Sequence, residues 1–269
     1  MIDLHCHILP GIDDGPENME AALAMCRMAC EDGIRMIVAT PHCGNGRYVN
    51  DETSILPVYE KLRRRIREEK IGIELLVAGD IHIRPGLESF LEENRRLCLG
   101  GRFALVEWPP DIVPRFIDDF IFRMSLAGFA PILTHPERNR AIQRRPALLK
   151  QWLLGGGLTQ ITAMSLTGEF GPEARESALA LLERGWVHCV ATDAHSTGRR
   201  KPVLSKAAAL LKEFIGKEDA SRLLVENPRR ILAGRQPLTV CREDLDHTPE
   251  RRGSFFRKSF RLADFCGFR

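Results

Sequence analysis

The sequence predicts an α/β fold in which parallel strands close, or nearly close, into a barrel with helices outside. Three observations carry that expectation. Seven short apolar segments alternate with segments of helical periodicity along most of the 269 residues, the pattern of parallel strands joined by crossovers. Nearly every predicted strand ends on a histidine or a carboxylate, and barrel active sites are built at that end of the strands. No run approaches the roughly 18 apolar residues that a membrane span needs.

Bulk properties narrow the classes further. Hydrophobic residues make up 44% of the chain and charged residues 28%, as in ordinary soluble globular proteins. A net charge of +3 is too weak to argue for a nucleic-acid groove. The length suits one large domain or two small ones; residues 1–237 read as the barrel and 238–269 as a basic, aromatic tail, disordered or peripheral. No basic-then-apolar segment precedes His5, so the expected setting is the cytoplasm, with thiols reduced. The eight cysteines contain no Cys-x-x-Cys pair, which argues against a zinc ribbon or a thioredoxin-like site.

In chain order, Ile2 to Leu4 is the first strand. It runs into His5 and His7, which point to one face of an extended backbone, with Asp13 or Asp14 just beyond. Asn18 to Asp32 carries Met19, Ala22, Leu23, Cys26 and Cys30 at helical spacing, and Gly33 ends it. Arg35 to Ala39 is the second strand, followed at once by Thr40-Pro41-His42. Thr53 to Lys70 is a helix whose basic face (Arg63, Arg64, Arg65 and Arg67) reads as solvated. Ile73 to Ala78 is the third strand, with Gly79-Asp80 at its end, and Phe103 to Val106 the fourth, ending on Glu107. An amphipathic helix from Pro114 to Ala127 is broken by Gly128. The fifth strand, Ala130 to Leu133, ends in Thr134-His135-Pro136-Glu137-Arg138. A helix over Ala147 to Leu154 leads through Gly155-Gly156-Gly157 into the sixth, Leu158 to Thr162. After a helix from Pro172 to Arg184, the seventh strand, Val187 to Ala191, ends in Thr192-Asp193-Ala194-His195. Helices near Ser205 to Glu213 and Ala220 to Leu224 follow, and Asn227-Pro228-Arg229 starts a last short one.

An apolar core has no use for ionisable groups at six strand ends out of seven, because unpaired buried charge is costly. The nine candidates, His5, His7, Asp14, His42, Asp80, Glu107, His135, Asp193 and His195, exceed what a single ion takes and suit two or three ions sharing a bridging carboxylate. Clustered ions make hydroxide at neutral pH and neutralise a phosphoryl group during in-line displacement. Imidazole and carboxylate without thiolate favour Mn²⁺, Fe or Zn²⁺. Arg138 and Arg199 lie on loops over the same face, and a guanidinium fork matches phosphate oxygens two at a time. The competing reading pairs them with Glu137 or Asp193 as structural salt bridges. Arg47, after His42, is a weaker third phosphate contact.

These motifs resemble a known family. Asp3-x-His5-x-His7 with Asp13-Asp14-Gly15-Pro16, Thr40-Pro41-His42, His135-Pro136-Glu137-Arg138 and Asp193-Ala194-His195 look like the polymerase-and-histidinol-phosphatase (PHP) superfamily. Asp-Asp-Gly-Pro, Gln160-Ile161-Thr162 with Ser165-Leu166-Thr167-Gly168 and Phe170-Gly171, and Asn227-Pro228-Arg229 resemble its CpsB/CapC-type branch, the bacterial capsular and exopolysaccharide tyrosine phosphatases. The resemblance covers roughly Met1 to Gly234. It implies a distorted (β/α)₇ barrel and a three-metal, typically manganese-dependent site. By the same resemblance His5, His7 and Asp193 would hold a first ion, Glu107 and His135 a second, and Asp14, His42 and His195 a third. Position 80 would bridge the first two; the resembled enzymes usually carry Glu there, and the shorter Asp80 can widen the metal spacing or change metal preference. The implied reaction is attack of a metal-bound hydroxide on phosphotyrosine, with Arg138 and Arg199 stabilising the transferring group. The implied substrate is the tyrosine-rich tail of a membrane-bound bacterial kinase that controls polysaccharide export.

Rival readings are fewer. Cysteine-dependent tyrosine phosphatases follow their nucleophile with arginine at Cys-x₅-Arg, and no cysteine here has arginine at that offset. No nucleotide-binding glycine loop is present. Within the superfamily the chief alternative is a phosphatase or phosphodiesterase on a small phosphoester such as histidinol phosphate. Amidohydrolases share the opening His-x-His but lack the Asp-Asp-Gly loop and the closing Asp-x-His pair, and a non-catalytic metal-binding module is the third class. Cys43, beside His42, is a candidate redox-sensitive rim thiol against the simpler reading of an inert one, and His82 shares the face of Asp80 within reach of a metal or phosphate. Arg251 to Arg269 mixes six basic residues with five phenylalanines, a composition suited to an anionic membrane surface or a docking partner.

Overall fold

The computed structural model describes residues 1–239, so the expectation for the basic, aromatic tail falls almost wholly outside the described residues. The elements alternate as the periodicity requires. They run β1 (Ile2–Cys6), α1 (Met19–Glu31), β2 (Met36–Ala39), β3 (His42–Cys43), α2 (Glu52–Glu68), β4 (Glu74–Val77) and β5 (Asp80–His82). Next come α3 (Leu87–Glu93), β6 (Phe103–Glu107), α4 (Ile117–Leu126), β7 (Ala130–Thr134), α5 (Arg140–Arg144), α6 (Lys150–Leu154), β8 (Leu158–Thr162) and α7 (Ala163–Thr167). The chain ends with α8 (Pro172–Glu183), β9 (Cys189–Ala191), α9 (Ser205–Ile215), α10 (Lys217–Ser221) and α11 (Asn227–Leu232).

Every strand pairing is parallel, in a three-stranded sheet β1-β2-β4 and a six-stranded sheet β3-β5-β6-β7-β8-β9. Two strands expected to be continuous are each split. Pro41, which has no N–H to give a ladder, interrupts the second stave between β2 and β3, and Ala78-Gly79 interrupts the third between β4 and β5. The breaks lie side by side: β2 pairs with β4, β3 with β5, and Ala78 N and Asp80 N still donate to Ala39 O and Pro41 O at 2.9 and 3.1 Å. The first and last staves meet through Asp193 N to His5 O and His7 N to Ala194 O, both 2.8 Å. Seven staves thus form a distorted (β/α)₇ barrel.

Alternation along the strands decides what faces inward. Ile2, Leu4, Val38, Phe103, Leu105, Ile132, Leu158 and Cys189 fill the lower barrel as one apolar cluster, while Ile37, Ala104, Val106, Leu133, Ile161 and Val190 pack outward against the helices. One step of two beyond the inner apolar residues come Glu107 after Leu105, Thr134 after Ile132 and Gln160 after Leu158. The polar site is therefore the top layer of the same stack. In β1 a register shift between Asp3 and Cys6 changes the phase. Leu4 stays with the inner cluster, yet Cys6 joins the outer one, which brings His5 and His7 to the inner side as bulges do.

Local signals set the helix ends. Asn18 caps α1 by accepting from Ala21 N at 3.0 Å, and Asp51 and Ser54 form a reciprocal capping box on α2. Of the arginines expected to form a solvated face on α2, Arg63, Arg64 and Arg65 pair with Glu20, Glu60, Glu68 and Glu69. Helices α3, α5 and α7, of five to seven residues each, are too short to show periodicity and were not expected. Asn227 pins the foot of the barrel, donating to His188 O at 2.8 Å and exchanging two hydrogen bonds with Leu238.

His188 is buried and structural. Its Nδ1 accepts from Thr159 N at 3.1 Å, and burial lowers its pKa to about 4. The native state thus holds the neutral ring, while the unfolded chain protonates near the ordinary value of about 6.5. This contribution is complete above that value and is lost as pH falls from about 6.5 towards 4, amounting to about 3 kcal/mol. Denaturant unfolding of wild type and His188→Gln at both pH values should show the wild-type advantage shrinking at the acid end; an unchanged difference would refute this role.

Candidate metal centre

All nine residues read from the strand ends meet at one rim of the barrel. Two are held by fixed acceptors that decide where their protons lie. His5 Nδ1 faces Gln160 Oε1 and His7 Nδ1 faces Asp13 Oδ2, each at 2.7 Å. Gln160 spends its amide on Ile161 O, so its oxygen is the end that accepts. With Nδ1 donating in both rings, both Nε2 atoms turn inward, 3.0 Å apart and each 3.4 Å from Asp193 Oδ1. Likewise His195 Nδ1 lies 3.0 Å from Asp193 O, leaving Nε2 to face Asp14 Oδ1 at 3.3 Å.

His42 bridges the remaining groups. Its Nδ1 lies 3.3 Å from Asp80 Oδ2 and 3.7 Å from Glu107 Oε2, and its Nε2 is 3.6 Å from Asp14 Oδ1. His135 Nε2 is 3.5 Å from Glu107 Oε1. Asp80 Oδ1 takes the Thr134 hydroxyl at 3.3 Å, while Oδ2 sits between His42 Nδ1 and His5 Nε2, the latter at 3.7 Å. Among the described residues three groups bring ligand atoms within 4.8 Å of one another: His5, His7 and Asp193; His7, Asp14, His42 and His195; and His42, Asp80 and Glu107. The first equals one trio implied by the family resemblance, and the second adds His7 to another. In the third, Asp80 lies nearer His42 than the resemblance suggests.

The donor set fits divalent ions. Lone pairs of several imidazoles converge with carboxylate oxygens, and both Asp80 Oδ2 and His42 Nδ1 are buried without a hydrogen-bond partner, an arrangement a cation satisfies. The electrostatics of the site carry the same demand. Burial opposes charge on His7, but Asp13 and Asp193 raise its pKa to about 10. Burial likewise opposes ionisation of Asp193, yet Arg200, His5 and Arg138 hold it well below the usual carboxylate range. Asp80 is held low against burial by His5 and His42, whereas burial and the Asp80 charge push Glu107 up to about 7. His135 and Asp193, both at the centre, adopt left-handed backbone with φ of 39° and 51°. Such strain in non-glycine residues persists where the surroundings enforce it, and it gathers at functional sites.

The arginines divide differently from the expectation. Arg138 Nη1 reaches Asp193 Oδ2 at 2.5 Å, the pair that the salt-bridge reading named, and this contact places its guanidinium on the site face. Arg199 is exposed and makes no hydrogen bond or ion pair among the described residues, and Arg200 takes the inner place, bonding Asp193 Oδ2 and, at 3.0 Å, His195 Nε2. The reason is a tight return: His195 N and Ser196 N both donate to Arg200 O at 2.9 and 3.0 Å, which brings residue 200, and not its neighbour, over the site. Two adjacent arginines carry no residue-type signal that tells them apart. Arg47 stays at the exposed rim, 5.1 Å over the Tyr48 ring, which itself stacks on His42 at 6.0 Å.

Other expectations resolve on burial. Cys43 is buried, its thiol pushed above the ordinary range and donating to Pro41 O at 3.4 Å; a rim thiol is excluded and the inert reading stands. His82 is half-buried at the edge and joins none of the three ligand groups. Supporting residues gain roles: Asp3 accepts from Thr192 N at 2.9 Å, and Glu137 accepts from Thr162 N at 3.0 Å and Ser165 Oγ at 2.6 Å, tying the Asp193 and His135 loops to the barrel.

The family described as capsular polysaccharide synthesis, CpsB/CapC, matches residues 1–233. The chain belongs to the CpsB/CapC family. Among its relatives, tyrosine-protein phosphatase YwqE of Bacillus subtilis (strain 168) is 36% identical over 233 residues, covering 86% of this chain and 91% of the relative. Tyrosine-protein phosphatase CpsB of Streptococcus agalactiae serotype V is 27% identical over 238 residues, 86% of this chain and 98% of the relative. A crystal structure from work on YwqE and on CpsB of Streptococcus pneumoniae, described as unique metal-dependent tyrosine phosphatases, superposes with a TM-score of 0.83 at 35% identity, over 89% of this chain and all of that one. A β-aspartyl dipeptidase of Fervidobacterium islandicum, at 13% identity and a TM-score of 0.52 over 86% of this chain and 73% of that one, shares the barrel fold alone.

Within this CpsB/CapC chain the Asp-Asp-Gly-Pro loop has a packing reason for its glycine. A Cβ on Gly15 would stand 2.4 Å from His7 O and 3.0 Å from Asp13 Oδ1. Gly15→Ala should therefore displace the loop that carries Asp13 and Asp14 and weaken metal binding by about tenfold. A metal titration on the purified variant checks this, and affinity equal to wild type would contradict it.

Proposed function

We propose that this CpsB/CapC protein is a metal-dependent tyrosine phosphatase whose ions are held by the nine strand-end residues. The observation that supports it most is the convergence of the His5 and His7 Nε2 lone pairs on Asp193, whose second oxygen is shared by Arg138 and Arg200. His5, His7 and Asp193 would hold one ion, Asp14, His42 and His195 another, and Glu107 with His135 a third, with Asp80 bridging. Bound there, divalent ions supply Lewis-acid polarisation and a nucleophilic water at neutral pH. The reading assigns Mn²⁺ as the metal, with Fe or Zn²⁺ as chemically permitted substitutes.

The chain's own residues do the rest. Gln160 and Asp13 keep His5 and His7 in the tautomer that presents Nε2. Arg138 and Arg200, charged at any working pH, receive the phosphoryl oxygens and stabilise charge that spreads over them in the transition state. Phenol, with a pKa near 10, leaves more readily than an alkyl alcohol and needs less protonation. The substrate is phosphotyrosine on a protein of capsule or exopolysaccharide synthesis, in this reading a membrane-bound bacterial tyrosine kinase met from the cytoplasmic side. Among the described residues no helix is long and apolar enough to cross a membrane.

The test is hydrolysis of a phosphotyrosine peptide beside histidinol phosphate, with Mn²⁺ added. Preference for the peptide, abolition by a chelator and indifference to a thiol alkylator are expected, since five of the six described cysteines are buried. Preference for histidinol phosphate would overturn the substrate assignment, and inhibition by alkylation alone would overturn the metal chemistry.

A further inference from the structure

A groove of about 750 Å³ leaves the metal centre between α5 and α8. Its head is formed by Arg138 and Phe170. The Phe170 ring lies 4.5 Å from the Arg138 guanidinium and 5.9 Å from that of Arg200, so the groove opens at the arginine pair itself. Arg140 and Arg144 line the α5 wall, and Glu173 and Glu176 line the α8 wall. The α5 wall is fixed: Asn139 caps it through Ala141 N and Ile142 N, and its amide is held by Pro109 O and Ile112 O at 2.9 Å.

The charges on these walls are available. Arg144 is exposed and has no ion pair among the described residues. Arg140 pairs with Asp111 at 3.2 Å, but both side chains are more than half exposed, at 68% and 55%, and such a pair exchanges at little cost. With Arg138 at the head, three guanidiniums face two carboxylates across the groove. An extended peptide sends successive side chains to opposite sides, so one register offers acidic groups to α5 while their neighbours meet α8.

We propose that this groove is the subsite for the polypeptide flanking the phosphorylated tyrosine, and that it selects segments with an acidic side chain facing Arg140 and Arg144. The inference rests on the tyrosine-phosphatase reading above. A phosphoryl group clamped by Arg138 and Arg200 leaves its ring and main chain at the groove head, and the groove is the channel that continues from that point. Recognition by exposed charges of this kind acts on encounter and specificity more than on chemistry.

The experiment uses the full chain loaded with Mn²⁺ and three substrates: an acidic-flanked phosphotyrosine peptide, its lysine-flanked counterpart and p-nitrophenyl phosphate, which is too short to reach the groove. The double variant Arg140→Glu/Arg144→Glu should raise KM for the acidic peptide by about fivefold or more, and Glu173→Lys/Glu176→Lys should lower it. Both should leave p-nitrophenyl phosphate turnover within about twofold of wild type and lose their effect at high salt. Opposite shifts from the two walls are a result that partial misfolding does not produce. Unchanged peptide KM in both variants, or equal losses on the small substrate, would overturn the subsite. A wild-type chain that hydrolyses the aryl phosphate but neither peptide would instead overturn the protein-phosphatase reading, and the subsite with it.

Discussion

An Asp193→Asn protein is expected to lose at least one bound metal ion and about a thousandfold in kcat/KM while keeping its barrel. The carboxylate is the meeting point of the centre. One oxygen lies 3.4 Å from both His5 and His7 Nε2, and the other carries Arg138 and Arg200. Asparagine preserves the size but removes the charge, leaving two guanidiniums and two imidazole nitrogens around a neutral amide. Breaking a buried charge cluster on one side costs about 3–5 kcal/mol, and Arg138 and Arg200 are only about a quarter exposed. A loss of roughly 4 kcal/mol in transition-state stabilisation corresponds to about three decades in rate. Metal analysis and kinetics on the same preparation read both effects, and near-UV circular dichroism reports the fold. Wild-type metal content with wild-type rate would remove Asp193 from the centre.

The second large effect separates two neighbouring arginines. Arg200→Ala should cut kcat/KM by about a hundredfold or more, the usual cost of one donor to a developing oxyanion, whereas Arg199→Ala should stay within about twofold. Arg138→Ala should resemble Arg200→Ala. Inorganic phosphate gives a readout independent of turnover: its inhibition constant should weaken for Arg138→Ala and Arg200→Ala and hold for Arg199→Ala. The reverse pattern would mean that the 195–200 turn presents Arg199 inward when substrate binds.

Much of the architecture could be read from residues alone, because a period of two in the strands and polar strand ends are local signals. Phe103, Leu105 and Glu107 show the logic: two apolar inner positions, then a carboxylate, on one face of one strand. The splits at Pro41 and Gly79 were not legible, since a stave can break and resume without changing its apolar pattern. Neither was the register shift of β1 against β2 between Asp3 and Cys6, which no residue-type pattern marks. The nine ligand candidates were visible because their residue types are costly inside an apolar core. Their partners were harder to see. Gln160 looks like any strand residue until its oxygen is found 2.7 Å from His5, and Glu137 looks like a partner for Arg138 until it is found buried against Thr162 and Ser165. Arg200 required the three-dimensional path of one turn. Residue type alone left both a rim thiol and an inert one open for Cys43 for the same reason, exposure being a property of the fold.

The account stands on several divalent ions held together at the top of one barrel. The most direct measurement strips the full-length protein with a chelator, titrates Mn²⁺ back and follows bound metal per chain alongside phosphotyrosine-peptide hydrolysis. Two or three ions taken up per chain, with activity absent before and restored in step with their binding, is the predicted result. Activity that survives complete removal of metal, or uptake of no ions at all, would contradict it.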